Sequence, residues 1–183
     1  MAITFDAFGE ERALIRRCQE GEADALRSFY ERFFTPVYRY VLASVGHHED
    51  AEDITAEVFV KAFRGLHSFR DHAKPVTAWL FRVARNEVID HYRRRARRIA
   101  AVSIDAQQIE HAGRYDPIGG KGLVLDLSRA LRGLSEPQRE AMLLRLVAGL
   151  STREAASIMR MPEGTVRSHL HFGVKALRVA MER

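Results

Sequence analysis

Apolar residues return along this chain every three or four positions, and almost nowhere at every second one. Such spacing lays apolar side chains along one stripe of an α-helix, so the chain is expected to pack helices on helices rather than build a sheet. Leu26, Phe29, Tyr30, Phe33, Val37, Tyr38 and Val41 form a first stripe, expected to be one buried helix face. Pro36 falls inside it; without an N–H, and crowding the carbonyl four residues back, it predicts a kink or a break. Ile54, Val58, Ala62 and Leu66, flanked by Phe59 and Phe63, form a second stripe. Val76, Trp79, Leu80, Val83, Ala84 and Val88 form a third, with Pro75 suited to the first turn of its helix. Aromatic side chains at helical spacing read as core here, not as a ligand site.

From Ile99 to Gly122 the periodicity fades, and Asp116-Pro117 with glycines at 113, 119, 120 and 122 marks an irregular linker. Gly119-Gly120-Lys121-Gly122 lacks both the Walker spacing and a preceding strand, so the linker reading stands over a phosphate loop. Periodicity returns with Leu123, Val124, Leu127, Ala130, Leu131 and Leu134. Ser135 with Gln138, and Pro137 in the first turn, makes a capping box for a helix ending near Gly149. Ser151 with Glu154 makes another, for a short helix stopped before Pro162. A last helix starts at Pro162 with the stripe Val166, Leu170, Val174 and Leu177. The expected fold is all-α: two small helical domains, 1–98 and 123–183, joined by a flexible linker, 99–122, the C-terminal one containing a helix-turn-helix.

With 183 residues and 46% hydrophobic content the chain can build real cores. Its net charge of +5 suits an acidic partner, nucleic acid or protein, and the charge is concentrated. Seven arginines and two acids between Arg82 and Arg98 give a local surplus of five, equal to that of the whole chain. Cys18 is the only cysteine, which excludes an internal disulfide and suits a reducing compartment. Residues 1–11 lack the basic start and apolar run of a signal peptide, and no apolar run approaches the roughly 20 residues that span a bilayer. The expectation is a cytoplasmic protein without membrane insertion.

Three segments carry candidate chemistry. Leu150 to Leu177 has the outline of a helix-turn-helix, whose second helix would lie in a DNA major groove. Its polar positions are Glu163, Thr165, Arg167, Ser168, His171 and Lys175; Arg167 can donate to guanine or phosphate, and Glu163 can accept from cytosine. An ordinary helical hairpin with a solvated face would share that spacing. The second segment is Arg82, Arg85, Asn86, His91 and Arg93-Arg94-Arg95, preceded by Trp79 and the loop from Phe69 to Lys74. Arginine forks suit phosphates and an aromatic-bearing loop suits unstacked bases, while a basic helix end also complements the helix dipole. The third runs through Glu49, Asp50, Glu52, Asp53 and Glu57 to Lys61 and Arg64. Acids early and bases late are what the helix dipole favours, and by themselves describe a stable exposed helix.

Together these segments resemble the extracytoplasmic-function (ECF) branch of the bacterial sigma-70 factors, from about Leu14 to Arg178. The resemblance is carried by Asp50-Ala51-Glu52-Asp53-Ile54-Thr55, Glu57-Val58-Phe59 and the run from Thr77 to Asn86. Leu134 to Arg139, Gly149-Leu150-Ser151 and Pro162 to Ser168 complete it. It implies an alternative sigma factor that binds core RNA polymerase and directs it to promoters, with no catalytic residues, cofactor or metal of its own. Asp50, Asp53, Glu57 and Lys61 would then contact core polymerase. Arg70, Lys74, Trp79, Arg82, Asn86 and Arg93 would open and read the −10 element, capturing an unstacked base. Arg153, Glu163, Thr165, Arg167, Ser168, His171 and Lys175 would read the −35 duplex. The implied partners are core polymerase, promoter DNA and an anti-sigma protein.

The chain departs from the family pattern at several places. Arg160 stands where the turn usually has glycine, and a left-handed backbone there would cost about 1–2 kcal/mol. His169, Phe172, Gly173 and Val174 replace residues that are often basic or small, and Ala56 and Ala148 replace commoner polar ones. A regulator that binds an operator without polymerase would explain only Leu150 to Leu177. A metal enzyme is disfavoured because His169 and His171, two apart on a helix, point different ways.

Overall fold

The structure is a computed structural model and describes residues 6–70, 75–101, 130, 131 and 133–181. All regular structure among them is helical. The N-terminal unit comprises α1 (Asp6–Gln19), α2 (Ala23–Val45), α3 (His48–Leu66) and α4 (Val76–Ala101). The C-terminal unit comprises α5 (Glu136–Met142), a π-helical turn (Leu143–Val147), α6 (Thr152–Met159) and α7 (Glu163–Met181).

The three N-terminal stripes form one core. Phe29, Phe33, Val37, Tyr38 and Val41 of α2 are buried against Ile54, Val58, Phe59, Ala62 and Leu66 of α3. Val76, Leu80, Ala84 and Val88 of α4 close over them. Each such large apolar side chain contributes about 1.5–3 kcal/mol relative to leaving it exposed. Tyr30 differs from its expected place in the buried face: it is 41% exposed, though its ring still lies 4.8 Å from that of Phe59. Pro36 does not break α2, which runs unbroken through it. Val37 and Phe33 beside it are buried, and that burial outweighs the one lost backbone bond. Gly46 ends α2 in the left-handed conformation at φ 80°, its N–H bonded to the Leu42 carbonyl at 2.8 Å.

Both capping boxes form as the sequence predicts, at Ser135/Gln138 and Ser151/Glu154. Leu131 and Leu134 are buried, Ala130 is exposed, and Leu123, Val124 and Leu127 lie outside the described residues, as does most of the predicted linker. The helix begun at Glu136 does stop at Gly149, but through a π turn that the periodicity did not announce. In it the Ala148 N–H reaches the Leu143 carbonyl at 3.1 Å, and the Arg145 guanidinium donates to the Leu150 carbonyl. The stripe of α7 is Val166, Leu170, Gly173 and Leu177, not Val174, which is 48% exposed. A Cβ on Gly173 would lie 3.0 Å from Met142 Cγ, so its glycine lets α7 approach α5 closely.

The turn of the helix-turn-helix is left-handed at Arg160 (φ 56°, ψ 43°), the one non-glycine residue with positive φ among those described. The Met161 N–H closes it onto the Ala156 carbonyl at 3.1 Å. The two units touch: α2 packs on the π turn and α4 on α6.

Replacing Arg160 by glycine removes the left-handed cost of about 1–2 kcal/mol and adds unfolded-state freedom of about 0.5–1 kcal/mol. Urea unfolding should therefore show Arg160→Gly stabilised by about 0.5–1 kcal/mol. An unchanged or lowered midpoint would mean the turn carries no such strain.

Candidate nucleic-acid interfaces

Helix α7 has two opposed faces. Val166 and Gly173 are buried and Leu170 and Leu177 half-buried toward α5 and α6, which leaves Gly164, Ser168, His171 and Lys175 outermost. Thr165, Arg167 and Phe172 flank that row, all exposed, Phe172 by 55%. The six polar positions read from α7 thus share its solvent side, and Arg153 adds an exposed guanidinium from α6. Arg167 is paired with Glu163 one turn back at 3.0 Å, but both side chains are exposed, so exchange for a base or phosphate costs little. The Ser168 hydroxyl is turned back onto the Gly164 carbonyl at 3.1 Å.

On α4, Arg82, Asn86 and Arg93 fall on one helical face. Asn86 and Arg93 are exposed, with Asp90 3.5 Å from Arg93. Arg70 is exposed four residues beyond the end of α3, and Lys74 lies outside the described residues. Trp79 is half-buried, its ring 5.2 Å from that of Phe69 and its Cζ2 2.9 Å from where a Cβ on Gly65 would sit. Gly65, missed in the sequence, makes room for the indole at the root of this loop; only a glycine late in an otherwise apolar stripe hinted at it.

Arg82 is not free in this arrangement. Its Nη2 donates to Ser157 Oγ at 3.0 Å, while the neighbouring Arg85 holds Glu140 with both prongs of its guanidinium. These partners lie 75 and 55 residues away along the chain, beyond the reach of spacing arguments.

The acidic helix α3 separates the four predicted polymerase contacts into two pairs. Asp53 and Glu57 stand on its exposed face with Glu49, Ala56, Val60 and Arg64. That face is rimmed with acids around an apolar centre, and Val60 is 43% exposed. Asp50 and Lys61 instead turn toward α4: Asp50 lies 3.7 Å from His91 Nε2, and Lys61 donates to the buried Glu87 carboxylate at 2.6 Å. Val60 was missed, because a valine in a helical stripe reads as core. Among the described residues no group of three His, Cys, Asp or Glu side chains could hold a metal ion, and no helix is long and apolar enough to cross a membrane.

These features define a two-part helical protein with a polar, solvent-facing helix closing a helix-turn-helix in one part and an arginine-rich helix in the other. Residues 29–98 match the family described as Sigma-70 region 2, and residues 125–177 match Sigma-70, region 4. The chain is 32% identical to the ECF RNA polymerase sigma factor SigL of Mycobacterium tuberculosis over 161 residues, covering 88% of this chain and 91% of that protein. It is 33% identical to the ECF RNA polymerase sigma factor BldN of Streptomyces coelicolor over 169 residues, 90% of this chain but 63% of that longer protein. Among solved structures it is similar to the sigma factor RpoE in complex with the anti-sigma factor NepR from Bartonella quintana. That likeness has a TM-score of 0.65 at 27% identity and covers 85% of this chain and 98% of that one. The chain belongs to the sigma-70 family. Within it, the chain is a member of the ECF branch, an alternative sigma factor directing transcription initiation.

His91, between the acidic helix and the arginine cluster, is 8% exposed, and its Nε2 has no hydrogen-bond partner among the described residues. Burial pulls its pKa below the ordinary 6.5, with Arg94, Arg95 and Arg98 adding to the fall and Asp50 opposing it. A histidine that resists protonation when folded but accepts it when unfolded stabilises the unfolded chain as pH drops. Stability should therefore fall as pH is lowered through about 6.5. His91→Gln should flatten that part of the profile in urea unfolding; an equally steep profile would assign the loss to another group.

Proposed function

We propose that the N-terminal unit, 1–98, docks on core polymerase and engages the −10 element, that 99–122 is a connecting linker, and that 123–183 reads the −35 duplex. The observation that carries this is the exposed side of α7, which aligns Ser168, His171 and Lys175, flanked by Thr165 and Arg167, along one 19-residue helix of a helix-turn-helix. Arg153 and Glu163 add a phosphate contact and a base acceptor at its N-terminal end. For the −10 element, Arg70, Asn86 and Arg93 offer exposed polar groups, Lys74 extends the loop, and Trp79 fixes its base. Arg82 joins them once its bond to Ser157 is given up. Core binding rests on Asp53 and Glu57 around Val60, with Asp50 and Lys61 holding α3 against α4. Nucleotidyl transfer belongs to the polymerase, so this chain supplies no catalytic group, and it acts in the cytoplasm where polymerase works. The RpoE relative is held by an anti-sigma factor, and an anti-sigma partner is proposed here too.

Run-off transcription with purified core polymerase and a promoter library tests the whole reading: selective initiation supports it, and none, without core binding, overturns it. Arg167→Ala should lower −35-dependent promoter use by about 1–3 kcal/mol, about five- to 150-fold, with core affinity unchanged. Unaltered promoter preference would remove Arg167 from the readers. Asp53→Ala should weaken core binding a few-fold, more at low salt, mainly through the association rate. Normal affinity would leave the acidic helix a structural element only.

A further inference from the structure

Helix α1 precedes the residues that match Sigma-70 region 2, which begin at Phe29, and none of the candidate site residues falls on it. Ile15 and Cys18 are buried in the N-terminal core, and that apolar stripe accounts for the docking of the helix. Two of its polar side chains reach further, to the backbone at either end of the α3–α4 connection. Gln19 Nε2 donates to the Leu66 carbonyl at 3.0 Å and to the Phe69 carbonyl at 2.7 Å. Glu11 Oε1 accepts from the Val76 N–H at 3.2 Å, and its Oε2 lies 3.9 Å from Arg32 Nη2. Leu66 is the last residue of α3 and Val76 the first of α4, so each offers a backbone group that its own helix leaves unpartnered. A side-chain amide has two hydrogens to share between two carbonyls, and a carboxylate suits the positive end of a helix dipole. Glu11 and Gln19 lie about 12 Å apart along α1 at 1.5 Å per residue, so one rigid helix sets the spacing of the two ends it holds. Those ends carry Arg70, directly after Phe69, and Trp79, in the first turn of α4 with its ring 5.2 Å from that of Phe69.

We propose that Gln19 and Glu11 are positioning residues for −10 recognition: α1 holds the end of α3 and the start of α4 at a fixed separation, and so sets Arg70 and Trp79 relative to each other. This rests on the −10 reading of Arg70 and Trp79 given above. Gln19 and Glu11 act through the backbone they hold and touch no DNA themselves. A purely structural part for α1 would lower stability, core binding and both promoter elements together. A positioning part confines the loss to the −10 element, because none of these bonds involves the acidic face of α3 or any residue of α7.

The test is run-off transcription by the full chain with purified core polymerase, on templates whose −10 positions are varied one at a time beside a fixed −35 element. Gln19→Glu keeps the shape of the side chain but turns an acceptor toward two carbonyls. Glu11→Leu keeps a similar volume and removes the acceptor, whereas Glu11→Gln retains an oxygen for the Val76 N–H. Gln19→Glu and Glu11→Leu should each reduce discrimination against −10 substitutions about two- to tenfold, the range that one net hydrogen bond spans. Glu11→Gln should keep most of that discrimination. Core affinity and the preference among −35 variants should stay as in the unaltered chain for all three. Full −10 discrimination in both Gln19→Glu and Glu11→Leu overturns the proposal. So does a parallel fall in core affinity, which would assign both residues to folding alone, and so does a Glu11→Gln chain as impaired as Glu11→Leu. An unaltered chain without any −10 preference brings down the −10 reading itself, and shows this before any variant is made.

Discussion

The N-terminal unit is organised around Phe59. The rings of Phe29, Tyr30, Phe34 and Phe63 surround it with centroids between 4.8 and 6.4 Å away, tying α2 to α3 along one aromatic seam. Offset and tilted ring pairs add directional preference to the burial of area, so the seam fixes rotation as well as distance. With α3 held by that side, its acids and Val60 have only the opposite side to occupy. Helix α4 then settles on both through Leu80, Phe81 and Ala84, which turns Asn86 and Arg93 outward. The acidic face of α3 and the exposed polar face of α4 are thus consequences of how one aromatic cluster packs.

In the C-terminal unit the comparable constraint is close approach. Gly173 meets Met142, and the left-handed Arg160 sets the turn between α6 and α7. The π turn carries the last part of the helix begun by α5 toward α2 and ends it at Gly149. Extra residues in a helical turn are often retained where a contact needs the shift. Here the shifted turn lies at the contact between the two units. The orientation of the exposed side of α7 therefore depends on the same small irregularities that let the helices of this unit approach each other.

Much of this was legible beforehand. The stripes of α3 and α4, both capping boxes and the turn before Pro162 follow from local rules in which side-chain spacing and cap chemistry act within one or two turns. The exposure of the polar residues of α7 was legible for the same reason, since they are the polar complement of an apolar stripe. Errors fell where a local rule met a tertiary one. Pro36 is absorbed because its neighbours are buried, Tyr30 lies at the rim of the seam, and Val174 yields its place in the stripe to Gly173, whose missing side chain gave no apolar signal. Asp50 and Lys61 looked like members of one acidic surface, but their partners, His91 and Glu87, come from another helix.

The sequence by itself determined an all-helical chain with a helix-turn-helix in its second half, and with it the sigma-70 resemblance. Periodicity, capping and turn chemistry are short-range and written in adjacent residues. Which charged groups are open and which are engaged was decided only by tertiary structure. Arg82, Arg85, Asn86 and Arg93 belong to one basic run in the sequence, yet two reach across to Ser157 and Glu140 and two face solvent. The physical reason is that an ion pair depends on distance in space, and partners 55 and 75 residues apart become neighbours only when both units have folded and met.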